Sequence, residues 1–130
     1  MADSKLELLT NLYKLVNEQL IVGFSVLDKA DNKPHGIPIW IGTDGIQLFF
    51  YSQSDTKKIK LLKLNPNCTV IFNYGSVEGK CILIPKSDSQ YNNYFKAFDP
   101  RYNHLSDYKK YKALWDVLIL IEPIKVKTFF

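Results

Sequence analysis

Apolar residues recur along this chain at two different periods. Near the N-terminus Leu6, Leu9, Tyr13, Val16 and Leu20 fall at helical spacing, and Ser4-x-x-Glu7 ahead of them reads as a capping box. That pattern predicts an amphipathic helix of about four turns that docks its stripe on the rest of the fold. From Ile21 onward the apolar runs become short, β-branched and punctuated by turn residues, which is the signature of strands. Ile21 to Leu27 is the first predicted strand, Asp28 to Lys33 with Pro34 a hairpin loop, and His35 to Ile41 the second strand. Thr43-Asp44-Gly45 is a tight-turn signal before a third strand, Ile46 to Tyr51. Cys68 to Tyr74, Gly79 to Ile84, Trp115 to Ile121 and Lys125 to Phe129 read as further strands, with Pro123 expected to separate the last two. Ser87 to Ala97 carries Tyr91, Tyr94 and Phe95 at helical spacing with Phe98, and Asp99-Pro100 is expected to stop it. Ser106 to Ala113 is a short basic helix or turn. Six or seven antiparallel strands with peripheral helices predict a mainly β fold, a small barrel, formed by residues 1–130 as one domain.

Two stretches depart from plain patterning. Pro38 lies inside the second strand and donates no ladder hydrogen bond, which confines that strand to an edge, a bulge or a ligand-facing position. The other stretch, Phe49 to Pro66, is an apolar strand end, a polar loop and a helix that opens with two lysines. Thr56 is placed as its N-cap, with a hydroxyl expected to accept from the first turn. Cations in a first turn oppose the helix dipole, so helix preference does not explain Lys57 and Lys58. An anion such as phosphate does, because free backbone N–H groups, the dipole and both ammonium groups converge there, with Ser52 and Ser54 just before. The plain alternative is a solvated cationic face made of Lys57, Lys58, Lys60 and Lys63.

Composition narrows the chemistry. At 130 residues, 46% hydrophobic and 14% aromatic, the chain can build one core and is far from a disordered composition. No apolar run reaches the roughly 18 residues a membrane helix needs, and Met1 to Lys5 carry no signal-peptide pattern, so residence in the cytoplasm is expected. A formal charge of +4 suits an anionic ligand or weak contact with nucleic acid. Cys68 and Cys81 sit in apolar runs and read as buried thiols; no zinc spacing is present. His35 and His104 are the only histidines, neither with a motif around it, and no triad, paired-carboxylate or P-loop pattern occurs. A chain poor in catalytic side chains yet equipped with an anion clamp fits chemistry carried by a cofactor.

Tyr51-Ser52, Thr56-Lys57-Lys58, Leu62 and Asn65-Pro66 resemble, without a gap, the flavin-phosphate segment of the pyridoxamine-phosphate-oxidase-like split barrels. Pro34-His35-Gly36-Ile37-Pro38-Ile39-Trp40 is similar to a Pro-His-x-x-Pro-Val-Trp strand of that group, and Trp115 to Pro123 to its last long strand. The resemblance implies an FMN-binding split β-barrel whose cofactor lies at a homodimer interface and which acts on an unknown small-molecule substrate. Position by position, it implies that Lys57 and Lys58 hold the phosphate and that Tyr51 and Ser52 line the ribityl–ring junction. Pro38, Ile39 and Trp40 would back the ring, and Lys80 would fall near it. Lys57 stands where an arginine is usual, and Gly36 where pyridoxamine-phosphate oxidases proper have another arginine. The chain also ends at Phe129-Phe130 without their arginine- and histidine-bearing segment, so pyridoxal-phosphate synthesis is not expected. Related groups bind the deazaflavin F420, which the Pro-x-Trp strand fits about as well, or haem, which needs an axial ligand. A non-catalytic flavin-binding protein and a barrel for single-stranded nucleic acid, with tyrosines stacking on bases, are the competing readings.

Overall fold

The computed structural model describes residues 2–128, and the side chains of residue 7 and residues 9–128. Its elements in order are α1 (Ala2–Glu18), β1 (Ile21–Asp28), β2 (Lys33–Trp40), β3 (Gly42–Thr43), β4 (Leu48–Ser52), α2 (Lys57–Leu64), β5 (Asn67–Phe72) and β6 (Gly75–Pro85). A 3₁₀ turn (Ser89–Tyr94), α3 (Phe95–Tyr102), α4 (Tyr108–Lys112) and β7 (Val117–Thr128) follow. The seven strands form one antiparallel sheet in the order β2-β1-β5-β6-β7-β4-β3. Its two edge strands, β2 and β3, are consecutive in sequence with Ile41 alone between them. A sheet whose opposite edges are joined by one residue has to roll up, and the inward side chains then meet in one core.

That core gathers Phe24, Val70, Val77, Phe50, Ile119 and Ile121 with Leu12, Leu15 and Val16 of α1 and Ile59 and Leu62 of α2. A second cluster lies on the outside of the sheet. Phe49, Tyr51, Leu118 and Leu120 point away from the barrel and are covered by Tyr91, Phe98, Tyr102 and Tyr108 of the excursion between β6 and β7. Successive strand residues face opposite sides, so a strand covered on both sides reads as an unbroken apolar run. Leu48–Ser52 and the Val117–Ile121 half of β7 are buried at every position for this reason.

Several boundaries differ from expectation. α1 begins at Ala2, so Ser4 lies inside the helix and the capping box is not its start. Its buried stripe is Leu12, Leu15 and Val16, whereas Tyr13 and Leu20 are exposed; Leu6 lies outside the described side chains. Pro100 does not stop α3, which runs on to Tyr102 because Phe98 and Tyr102 are fully buried anchors on either side of the proline. Pro123 does not divide β7. The register with β6 slips between Glu78 and Gly79, and this bulge absorbs the proline within one continuous strand. Phe129, expected in that strand, lies outside the described residues. β6 starts at Gly75, directly after the Asn73-Tyr74 turn, and β3 is a two-residue strand that patterning passed over. Pro38 sits on an edge strand, where a missing N–H is tolerated.

Candidate functional site

A cleft of about 460 Å³ opens where the barrel edge, the start of α2 and the aromatic cover meet. The volume is in the range of small-ligand sites. One wall is Pro38 and Trp40 of β2, with Ile39 buried beneath them. Phe50, Tyr51 and Ser52 at the end of β4 form the floor, and Tyr111 and Trp115 come from the cover. Thr56 and Lys58 close the end at which α2 begins.

The aromatic wall is held from behind. Trp40 stacks on Tyr102 with centroids 5.0 Å apart and meets Trp115 edge-on at 6.2 Å. Tyr51 stacks on Phe95 at 4.1 Å, and its hydroxyl donates to the Tyr91 carbonyl at 2.7 Å. Burial pushes the Tyr51 phenol far above its ordinary range, so this group stays protonated and serves packing. Beneath the wall, Arg101 donates from Nε to the Ile41 carbonyl and from Nη2 to those of Val16 and Gln19, tying α3 to the end of α1 and to the barrel seam.

The cationic end differs from the cap that patterning predicts. Thr56 is the N-cap residue, but its hydroxyl donates to the Gln53 carbonyl at 2.9 Å and does not cap the first turn. The backbone N–H groups of that turn therefore have no side-chain acceptor from the cap. Lys58 is half-buried, and desolvation lowers its pKa below the ordinary lysine value. Among the described residues no carboxylate lies within ion-pair distance of it. Ser52 is 95% buried at the same end. Ser54, the other hydroxyl expected there, is occupied: its Oγ and N donate to the two carboxylate oxygens of Asp116, each at 2.7 Å.

Of the nine residues expected to bind a cofactor, Pro38, Ile39, Trp40, Tyr51, Ser52, Thr56 and Lys58 come together on this cleft. Lys57 and Lys80 do not line it. Lys57 turns toward the β1–β2 loop, with Nζ 3.6 Å from Asp28 Oδ2. Lys80 is exposed on β6, paired across the sheet with Asn67 and Glu122. His35, which has no visible carboxylate partner in the sequence pattern, faces two: Nε2 lies 3.3 Å from Asp28 and 3.6 Å from Asp31. Sequence reasoning missed Ile21, Phe50, Gln53, Tyr111 and Trp115 as cleft residues. Phe50 and Gln53 lie within the Phe49–Pro66 stretch already singled out, and Tyr111 is one of two tyrosines in an otherwise lysine-rich short helix. Cys68 and Cys81 are buried free thiols; a hydrogen bond between them and burial hold Cys81 protonated.

No family model matches this sequence, and no curated protein matches it. Solved structures do. A Listeria innocua protein named after pyridoxamine 5'-phosphate oxidase superposes with a TM-score of 0.69 at 16% identity, over 93% of this chain and 97% of that one. An F420 reductase gives 0.68 at 22% identity, over 88% and 94%. A FAD-binding protein from Mesorhizobium loti gives 0.69 at 17% identity, over 88% of each chain. The chain has the split β-barrel fold. In this split barrel the cleft runs along the rolled edge, between barrel and cover. No described helix is long and apolar enough to cross a membrane.

Proposed function

We propose that this chain binds FMN in the cleft and is a flavin-dependent oxidoreductase acting on a small substrate. The observation that carries the reading is Lys58: a half-buried ammonium on an aromatic-walled cleft, without an anionic partner among the described residues. Burying an unpaired charge is costly, and a phosphate supplies the missing partner. The flat rings of Trp40 and Trp115 suit an isoalloxazine, and Lys58, Thr56 and the α2 N-terminus suit its phosphate. The flavin would supply the redox chemistry, while the protein orients it and shields it from water. Among the described residues no histidine, cysteine or methionine lines the cleft, so the commoner haem ligands are missing from its lining. Tyr51, Tyr91, Tyr102 and Tyr108 are buried in packing and unavailable as a stacking platform for single-stranded nucleic acid.

Residues 1–130 act in this reading as one flavin-binding domain that pairs with a second copy. Ile71, Ile82 and Ile124 are about half-exposed or more on β5, β6 and β7, where the cover does not reach. Apolar strand positions of this kind suit a homodimer interface, which light scattering tests. Two buried free thiols suit a reducing cytoplasm. The deazaflavin F420 is the second reading, supported by the same flat wall and by the F420 reductase among the structural neighbours.

Titration of FMN and riboflavin into the apo chain tests the reading. Lys58→Ala is expected to weaken FMN by about 10- to 100-fold, the effect of one charge-assisted hydrogen bond, and to leave riboflavin nearly unchanged. Equal weakening of both ligands, or none, removes Lys58 from a phosphate site.

A further inference from the structure

Lys57 and Lys58 are neighbours in sequence, yet they serve different partners. Successive residues of a helix project about 100° apart, so only one of the pair can face the cleft squarely. Lys58 lines it; Lys57 reaches the β1–β2 loop. The acid waiting there is fixed. Asp28 Oδ1 accepts from Ala30 N at 2.9 Å, and its side chain is only 14% exposed. Its Oδ2 faces Lys57 Nζ at 3.6 Å and His35 Nε2 at 3.3 Å. Lys57, 63% exposed on a flexible stem, is the movable member of the pair.

We infer that Asp28 sets the charge at the cationic end of the cleft by engaging Lys57, so that a bound phosphate meets one ammonium group instead of two. This rests on the reading of the cleft as a phosphate-binding site and assigns a positioning residue to it. Asp28 touches no ligand in this arrangement. It competes with the ligand for Lys57, across the opening turn of α2, and so limits affinity for the phosphorylated cofactor. Asp31 is the natural control, because it faces His35 at 3.6 Å and its Oδ1 accepts from Lys33 N, with no contact to Lys57.

The test is titration of FMN and of riboflavin into the full chain and into Asp28→Asn, Asp31→Asn, Lys57→Ala and the Asp28→Asn/Lys57→Ala double variant. Asp28→Asn is expected to tighten FMN by about two- to fivefold, the size of one exposed ion pair released, and to leave riboflavin unmoved. The gain should vanish in the double variant and shrink at high salt. Asp31→Asn should change neither ligand. Lys57→Ala alone should alter FMN less than twofold, a measurement that stands even if Asp28→Asn fails to fold. A gain that persists without Lys57, an equal gain from Asp31→Asn, or a tenfold loss from Lys57→Ala would each overturn the inference. An unchanged FMN-to-riboflavin preference in Lys58→Ala would instead remove the phosphate reading on which it rests.

Discussion

The Tyr102 hydroxyl lies 2.6 Å from the Leu20 carbonyl and 2.7 Å from that of Ile41, while its ring backs Trp40 at 5.0 Å with planes 13° apart. One side chain of the cover thus ties the seam of the barrel to the wall of the cleft. Tyr102→Phe keeps the stacking and removes the hydroxyl proton shared between two carbonyls, leaving Arg101 Nε on Ile41 and Ile41 N on Leu20. It is expected to destabilise the fold by about 1–2 kcal/mol in urea unfolding and to loosen Trp40, read as higher tryptophan quenching by acrylamide.

Both tryptophans of the chain, Trp40 and Trp115, line the cleft. A flat, absorbing ligand seated against them should therefore quench most of the intrinsic tryptophan emission, not half of it. Stoichiometric addition of FMN to apo protein checks this. Emission that remains above about half, at saturation shown independently, places the ring elsewhere.

Lys58 gives the cleft a pH dependence of definite sign. Its folded pKa is lowered by desolvation, so it loses its proton at a lower pH than an exposed lysine, near 10.4, would. FMN affinity should be full at neutral pH and fall as pH rises through that lowered value, while the phosphate remains a dianion. Riboflavin binding is the control for the ring itself. Lys58→Arg should abolish the alkaline loss, because a guanidinium stays charged.

Asp116 joins the start of β7 to the loop before α2, and the hydrogen bonds from Ser54 hold its carboxyl below the usual carboxylate value. A depressed folded pKa contributes stability above the unfolded value of about 3.9, and that contribution is lost as pH falls through the folded one. Asp116→Asn should cost about 1 kcal/mol at pH 7, the net worth of a hydrogen bond at an exposed site. The gap to wild type should narrow as pH falls through that depressed value. A gap that is constant with pH would assign the loss to packing.

The barrel was legible because its strands carry unbroken or alternating apolar runs, and Leu48–Ser52 marks even the double covering that the second cluster provides. The two prolines misled for opposite reasons. At Pro100 buried neighbours outweigh a local preference, and at Pro123 a bulge in the same strand, which leaves Ile124 unpaired with β6, removes the conflict. Both compensations depend on packing or pairing with distant residues, so neither is visible from the adjacent sequence. The cleft was legible where it is built from nearly contiguous sequence, at residues 38–40 and at residues 51, 52, 56 and 58. It was not legible at Ile21, Tyr111 and Trp115, which only the fold brings to the same place. The dibasic turn was read as one unit because spacing reports proximity and not direction; the partner of Lys57 is on another element.

β6 and β7 pair along almost their whole length, from Pro85 opposite Val117 onward, and Lys86 N still donates to the Asp116 carbonyl at 2.9 Å. Everything from residue 87 to residue 115 is thus a detour hung from one hairpin, entering and leaving at the same point. Yet it brings Tyr111 and Trp115, one whole side of the cleft. The β ladders of the barrel therefore close without the detour, which reshapes from outside the sheet what the cleft admits. It reaches back to the seam through Arg101 and Tyr102, and to the strands through its aromatic packing.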